Sequence, residues 1–133
     1  MLQGNEMETI KQPINLFWCC MLLHLVADYY LQGCLADLKQ KCWWQKQVYQ
    51  FERSKYRYDY VAGLLCHALM WSLITFIPMM FLVTQEWFAG IIICNTLIHA
   101  WIDNLKANKR FINLYEDQIF HVIQIILTVV VCV

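Results

Sequence analysis

All four histidines of this chain and three of its aspartates lie inside long apolar stretches, where an ionised side chain costs about 3 kcal/mol or more in hydrocarbon. They are His24 and Asp28, His67, His99 and Asp103, and Asp117 and His121. His24/Asp28, His99/Asp103 and Asp117/His121 are each four residues apart. On a helix that spacing stacks two side chains on one face, about one turn apart. The first stripe runs on through Cys20 and Gln32, and the second through Asn95. Imidazoles and carboxylates gathered in this way support three chemistries. They bind divalent metals, carry protons or ions, or join helices as hydrogen-bonding glue.

The elements that position them must be membrane helices. A chain of 133 residues suits one domain, but 60% of it is apolar and 15% charged, against about 45–50% and 25% in soluble domains. That leaves too few polar side chains to cover a small soluble globule. Disordered, collagenous and acidic-tail classes are excluded as well. Zero formal net charge gives no pull on nucleic acid, which is not expected as a partner. The seven cysteines are odd in number and form no CxxC pair. They read as small hydrophobes, as unmodified thiols facing a reducing side would.

Four stretches, at about 14–32, 60–83, 87–105 and 114–133, approach the roughly 20 residues that a bilayer requires. The expected fold is all-α: a four-helix transmembrane bundle forming one integral membrane domain over 1–133, with a kink at Pro78. Leu31-Gln32-Gly33-Cys34 faintly resembles a lipoprotein cleavage box. Glu6 and Glu8 before the run, and His24 and Asp28 within it, are wrong for a signal peptide, so a retained helix is expected.

Basic residues set the orientation. Lys39, Lys41, Lys46, Arg53, Lys55 and Arg57 lie between the first two stretches, and Lys106, Lys109 and Arg110 between the last two, with Lys11 alone on the other side. The positive-inside rule makes both basic loops cytoplasmic and both termini external; a bacterial inner membrane is the expected location. Segment 33–59 also carries Trp43, Trp44, Tyr49, Phe51, Tyr56 and Tyr58. Basic and amphipathic aromatic side chains together suit a segment lying among anionic headgroups.

Depth orders the polar residues further. His67 comes seven residues after Tyr60, His99 seven before Lys106, and His121 seven after Leu114. Each is therefore roughly 10 Å below the cytoplasmic end of its helix. His24 falls near the same level, and Asp28, Asp103 and Asp117 lie about one turn closer to the cytoplasm. The order within each pair reverses as the helices alternate direction. Four histidines in one layer and three aspartates in the next form a candidate site for a divalent ion, zinc above others, or for two ions. His24, His67, His99 and His121 are the expected ligands.

The motif order resembles a family of small bacterial and phage integral membrane proteins catalogued as a domain of unknown function. The resemblance is carried by HxxxDxxxQ from His24 to Gln32, HxxxD from His99 to Asp103, and DQxxH from Asp117 to His121, with His67 opening the second stretch. It covers the chain from about Leu22 onward and implies the same topology and polar positions. A looser similarity links the pattern to inner-membrane proteins described as metal-dependent hydrolases.

A metal at this depth, beneath a basic aromatic segment, suits hydrolysis of a phospholipid or lipid-linked phosphate at the cytoplasmic interface. Asp28, Asp103 and Asp117 are then further ligands or the general base. Gln32 and Gln118 would orient headgroup or water, and Lys106 or Lys39 would neutralise phosphate. Two other classes stay open at this point: a proton, ion or metal transporter or channel, and a non-enzymatic interaction protein with a structural His/Asp network. The outer halves offer few polar groups for a pore within one protomer, which leaves a homo-oligomer open.

Overall fold

The computed structural model describes residues 3–47 and 54–132, with side chains from residue 12 onward. The order of elements is α1 (Gln3–Val26) running on into a π-helical turn (Ala27–Leu31), α2 (Leu35–Leu38), α3 (Lys41–Gln47), α4 (Asp59–Phe76) running on into a 3₁₀ turn (Ile77–Phe81), α5 (Gln85–Ala107) and α6 (Leu114–Cys132). Among the described residues no strand occurs. Four segments are long and apolar enough to cross a membrane: Gln12–Leu31, Asp59–Phe81, Gln85–Ala107 and Leu114–Cys132. Each lies within two residues of its expected bounds.

Local chemistry explains where the helices begin and change. Thr84 opens α5 by accepting the Trp87 N–H at 3.4 Å. Asn113 and Glu116 cap α6 reciprocally, each side chain accepting the other's backbone N–H, at 3.0 and 2.8 Å. The cap fixes the start of α6 and so the place of Asp117. Pro78 does not kink a continuous α-helix as expected. The chain tightens to a 3₁₀ turn in which the proline stands among the first residues, where its missing N–H costs nothing. Two residues past the π turn stands Gly33, whose φ of +46° a side chain would strain.

The bundle is inverted relative to a soluble protein. Among the described residues the interior holds 13 polar or charged side chains and 14 hydrophobic ones, so apolar burial alone does not define it. The outward faces carry Leu22, Leu69, Ile93, Leu97, Leu127 and Val130. In water such a surface would aggregate; in lipid it is in its proper solvent. The interior is layered along the helices. Asp28, Asp103 and Asp117 come first, then the four histidines. One turn further lie Cys20, Trp71, Ser72, Asn95, Thr96 and Gln124. The layers end in an apolar plug that includes Leu16, Phe76, Met79, Ile91, Ile92 and Val129.

The described part of segment 33–59 caps the charged end of this bundle. Residues 48–53, with Tyr49, Phe51 and Arg53, lie outside the described residues. Asn108, just past α5, ties the cap down: its Nδ2 donates to the Lys39 carbonyl at 3.1 Å and its Oδ1 accepts the Lys41 N–H at 2.7 Å. Trp44 Nε1 donates to the Leu38 carbonyl at 2.8 Å. On the other side, Gly63 of α4 lies so close that a Cβ there would meet the Leu38 carbonyl oxygen at 2.5 Å. Gly63→Ala is therefore expected to push α2 off α4 and lower stability by about 1–3 kcal/mol. Thermal unfolding in detergent checks this, with Gly90→Ala, which meets nothing within 4 Å, as the neutral comparison.

Candidate metal centre

The site grows from one buried residue per turn on each of four helices. His67 and Trp71 are i, i+4 on α4, His99 and Asp103 on α5, and Asp117 and His121 on α6. Histidine rings meet at the centre. His99 stacks on His121 with centroids 4.2 Å apart, and on Trp71 at 4.0 Å. His67 Nε2 and His99 Nε2 face each other at 3.3 Å. Asp103 faces three imidazoles: its Oδ2 lies 3.2 Å from His67 Nε2 and 3.8 Å from His99 Nε2, and its Oδ1 3.6 Å from His121 Nε2. Asp28 Oδ1 lies 3.7 Å from His67 Nε2, and Asp117 Oδ1 lies 3.4 Å from His121 Nε2.

On α1 the π turn is the local feature that matters. It places Asp28 at the edge of the cluster, 8% exposed, while His24 is fully buried. Widened turns of this kind recur at functional sites. The same turn takes Gln32 off the expected stripe. Its amide, expected to orient headgroup or water, donates to the Asp28 carbonyl.

Two further residues complete the site. Lys39, expected to set topology or to neutralise phosphate at the membrane surface, is instead buried by the α2–α3 cap, and its ammonium donates to Asp103 Oδ2 at 2.6 Å. The indole of Trp71 donates to His24 Nδ1 at 2.8 Å. Trp71 was detectable, since it follows His67 by one turn on a polar stripe. Nothing among the six basic residues of its loop marked Lys39 as the one to be buried against Asp103.

Other expected site residues have defined places. Lys106 pairs with Asp117 across α5 and α6 and lies 4.0 Å from Asp103 Oδ1. Gln118 donates to Asp117 Oδ2 at 3.2 Å. His24 belongs to the histidine layer, 5.8 Å from His121 between centroids. Its Nδ1 accepts from Trp71 and lies 3.5 Å from Asp28 Oδ2, which leaves Nε2 for a metal or a further partner.

Two triads bring one ligand atom from each member within 4.8 Å of the others: Asp28, His67 and His99, and His99, Asp103 and His121. Either can hold a metal ion. The 3.3 Å between the two facing Nε2 atoms equals the edge of a tetrahedron whose bonds are about 2.0–2.1 Å, the usual zinc–imidazole length. On the far side of these rings His67 Nδ1 and His99 Nδ1 are buried without a hydrogen-bond partner among the described residues. Charge points the same way. Three carboxylates against the ammoniums of Lys39 and Lys106 leave one negative charge in a region that tolerates none unpaired. A bound cation or an imidazole proton must balance it.

Comparison with protein-family models, curated proteins and solved structures found no match for this chain.

Proposed function

We propose that the protein is a zinc-dependent hydrolase of lipid phosphates, embedded in a bacterial inner membrane with both termini outside. The observation that carries the reading is the pair of facing imidazoles, His67 and His99, with Asp28 beside them. Two histidines and a carboxylate leave a fourth position open, as in catalytic rather than structural zinc sites. One ion is favoured over two, because His99 is common to both triads and Asp103 is already engaged by Lys39. The resembled bacterial and phage family would share this centre through its HxxxD motifs.

Held by His67, His99 and Asp28, a divalent ion would lower the pKa of a water and polarise a phosphoryl oxygen. The chain does the rest. Asp103, held through Oδ2 by Lys39 and faced at Oδ1 by Lys106, is the carboxylate placed to take the water's proton. Trp71 seals the side away from the charged end, stacking on His99 and bonding to His24. With the ion present the site's excess charge becomes positive, which favours an anionic substrate. Transport is the weaker reading, because the apolar plug of Leu16, Phe76, Met79 and Val129 closes the interior beyond the amide layer.

Purified protein in nanodiscs is expected to release phosphate from a lipid phosphate, to stop after chelation and to resume with added zinc. Zinc bound at the centre without release from any lipid phosphate would leave a binding protein and end the hydrolase reading. Orientation has its own check. Reporter fusions to either terminus are expected to be active outside the cytoplasm, and thiol reagents to label Cys42 only from the cytoplasmic side. A cytoplasmic terminus after α6 would reverse the bundle and detach the site from that interface.

A further inference from the structure

The His/Asp cluster is closed to water. His67, His99, His121, Asp103 and Asp117 are each 1% exposed or less, and Asp28 at the edge keeps 8%. A hydrated divalent ion cannot reach ligands buried this far while every element stays in place, so one of them must move aside. The four spans are poor candidates. The apolar plug holds them together at one end, and the stacked rings of Trp71, His99 and His121 join α4, α5 and α6 at the cluster itself. The α2–α3 cap is different. It is short, it lies over the charged end, and its attachments are few: Lys39 to Asp103, two hydrogen bonds to Asn108, and the contact of Leu38 with Gly63. Water can replace each of the polar ones as the cap lifts. Gly33, at φ +46°, joins the cap to the first span.

We infer that α2 and α3 form a lid over the centre, latched by Lys39 on Asp103, and that a divalent cation enters when the lid lifts from α4 and α5. The latch is set where it matters. Asp103 Oδ2, which Lys39 holds, is the oxygen that faces His67 Nε2 at 3.2 Å and His99 Nε2 at 3.8 Å. Lifting the lid therefore withdraws one cation from beside the facing imidazoles as another arrives. Charge selects the arrival. With Lys39 withdrawn, Asp28, Asp103 and Asp117 are faced by Lys106 alone, so the open centre carries two negative charges and draws a divalent cation. Closure over the bound ion returns Lys39 to Asp103 and shuts out water again. The inference rests on the metal reading for what enters, not for the movement of the lid.

The test uses two variants outside the ligand set. Asn108→Ala removes both ties to the cap, and Gly63→Ala pushes α2 from its other side; Gly90→Ala, in open space, is the comparison. Chelator-treated, full-length protein in phosphatidylcholine nanodiscs is exposed to diethyl pyrocarbonate, a water-borne reagent for imidazoles. Mass spectrometry follows the modification of His67, His99 and His121. Wild type and Gly90→Ala are expected to react slowly, and each lid variant about tenfold faster, the scale of two lost hydrogen bonds. Zinc uptake by the same proteins, followed with a fluorescent zinc indicator, is expected to reach a ceiling set by opening. That ceiling should rise by the same factor. Circular dichroism is read beside each rate, and the two variants act on opposite sides of the cap, so loss of fold in one leaves the other to decide. Equal rates in wild type and both variants, or uptake that climbs in proportion to zinc without a ceiling, would overturn the lid. Histidine reactivity that follows the variants in a protein that takes up no zinc keeps the lid and ends the metal reading. Zinc bound at the centre, with reactivity blind to both variants, does the reverse.

Discussion

Replacing His99 by phenylalanine is expected to remove stoichiometric zinc while α1, α4, α5 and α6 stay assembled. His99 belongs to both candidate triads, so among the described residues neither set of three survives its loss. Removing groups that merely orient a ligand weakens metal binding about 10–100-fold; removing a ligand outright should cost at least about 100-fold. Phenylalanine is the informative replacement because the ring sits between Trp71 at 4.0 Å and His121 at 4.2 Å. Alanine there opens a cavity worth about 3–5 kcal/mol and confounds lost metal with lost packing. Metal content by mass spectrometry, read beside helicity by circular dichroism, gives the answer. Unchanged zinc in His99→Phe would move the ion elsewhere and leave these imidazoles a structural or proton-carrying role.

Asp103→Ala is expected to be the most damaging single change to stability. Asp103 accepts from Lys39 and faces His67, His99, His121 and Lys106. Its loss leaves the Lys39 ammonium buried without a partner, at a cost of about 3–5 kcal/mol. The cost belongs to the orphaned charge, so it should be recovered in part by removing that charge as well. Lys39→Met combined with Asp103→Leu is expected to unfold in detergent at a higher temperature than Asp103→Ala, and the two changes to be non-additive. Strict additivity would mean that Lys39 reaches water in the folded protein and that the α2–α3 cap does not deliver it to the site.

The four spans, the shared layer of His67, His99 and His121, and their closeness to Asp103 were legible because helical period and membrane thickness are strong constraints. An i, i+4 pair on a helix that must cross lipid has few places to go. Gln32 was misplaced because a π turn adds a residue to one turn of α1, and period reading assumes a regular helix. His24 was expected among the ligands; its engagement by Trp71 depends on an indole from another helix, which spacing along α1 does not reveal. The burial of Lys39 against Asp103 was hidden for the same kind of reason. What buries it is the close approach of Leu38 to Gly63 and the bridge from Asn108, contacts between segments far apart in the chain.

X-ray absorption at the zinc edge of the purified protein tests the central claim most directly, because seven free cysteines compete with the imidazoles for any zinc the protein binds. A centre built from His67, His99 and Asp28 predicts one zinc per chain, a shell of nitrogen and oxygen only at about 2.0–2.1 Å, and outer-shell scattering from two imidazole rings that disappears in His99→Phe. Sulfur at about 2.3 Å, or the absence of zinc after purification with zinc supplied, would contradict the assignment of a metal to this His/Asp cluster.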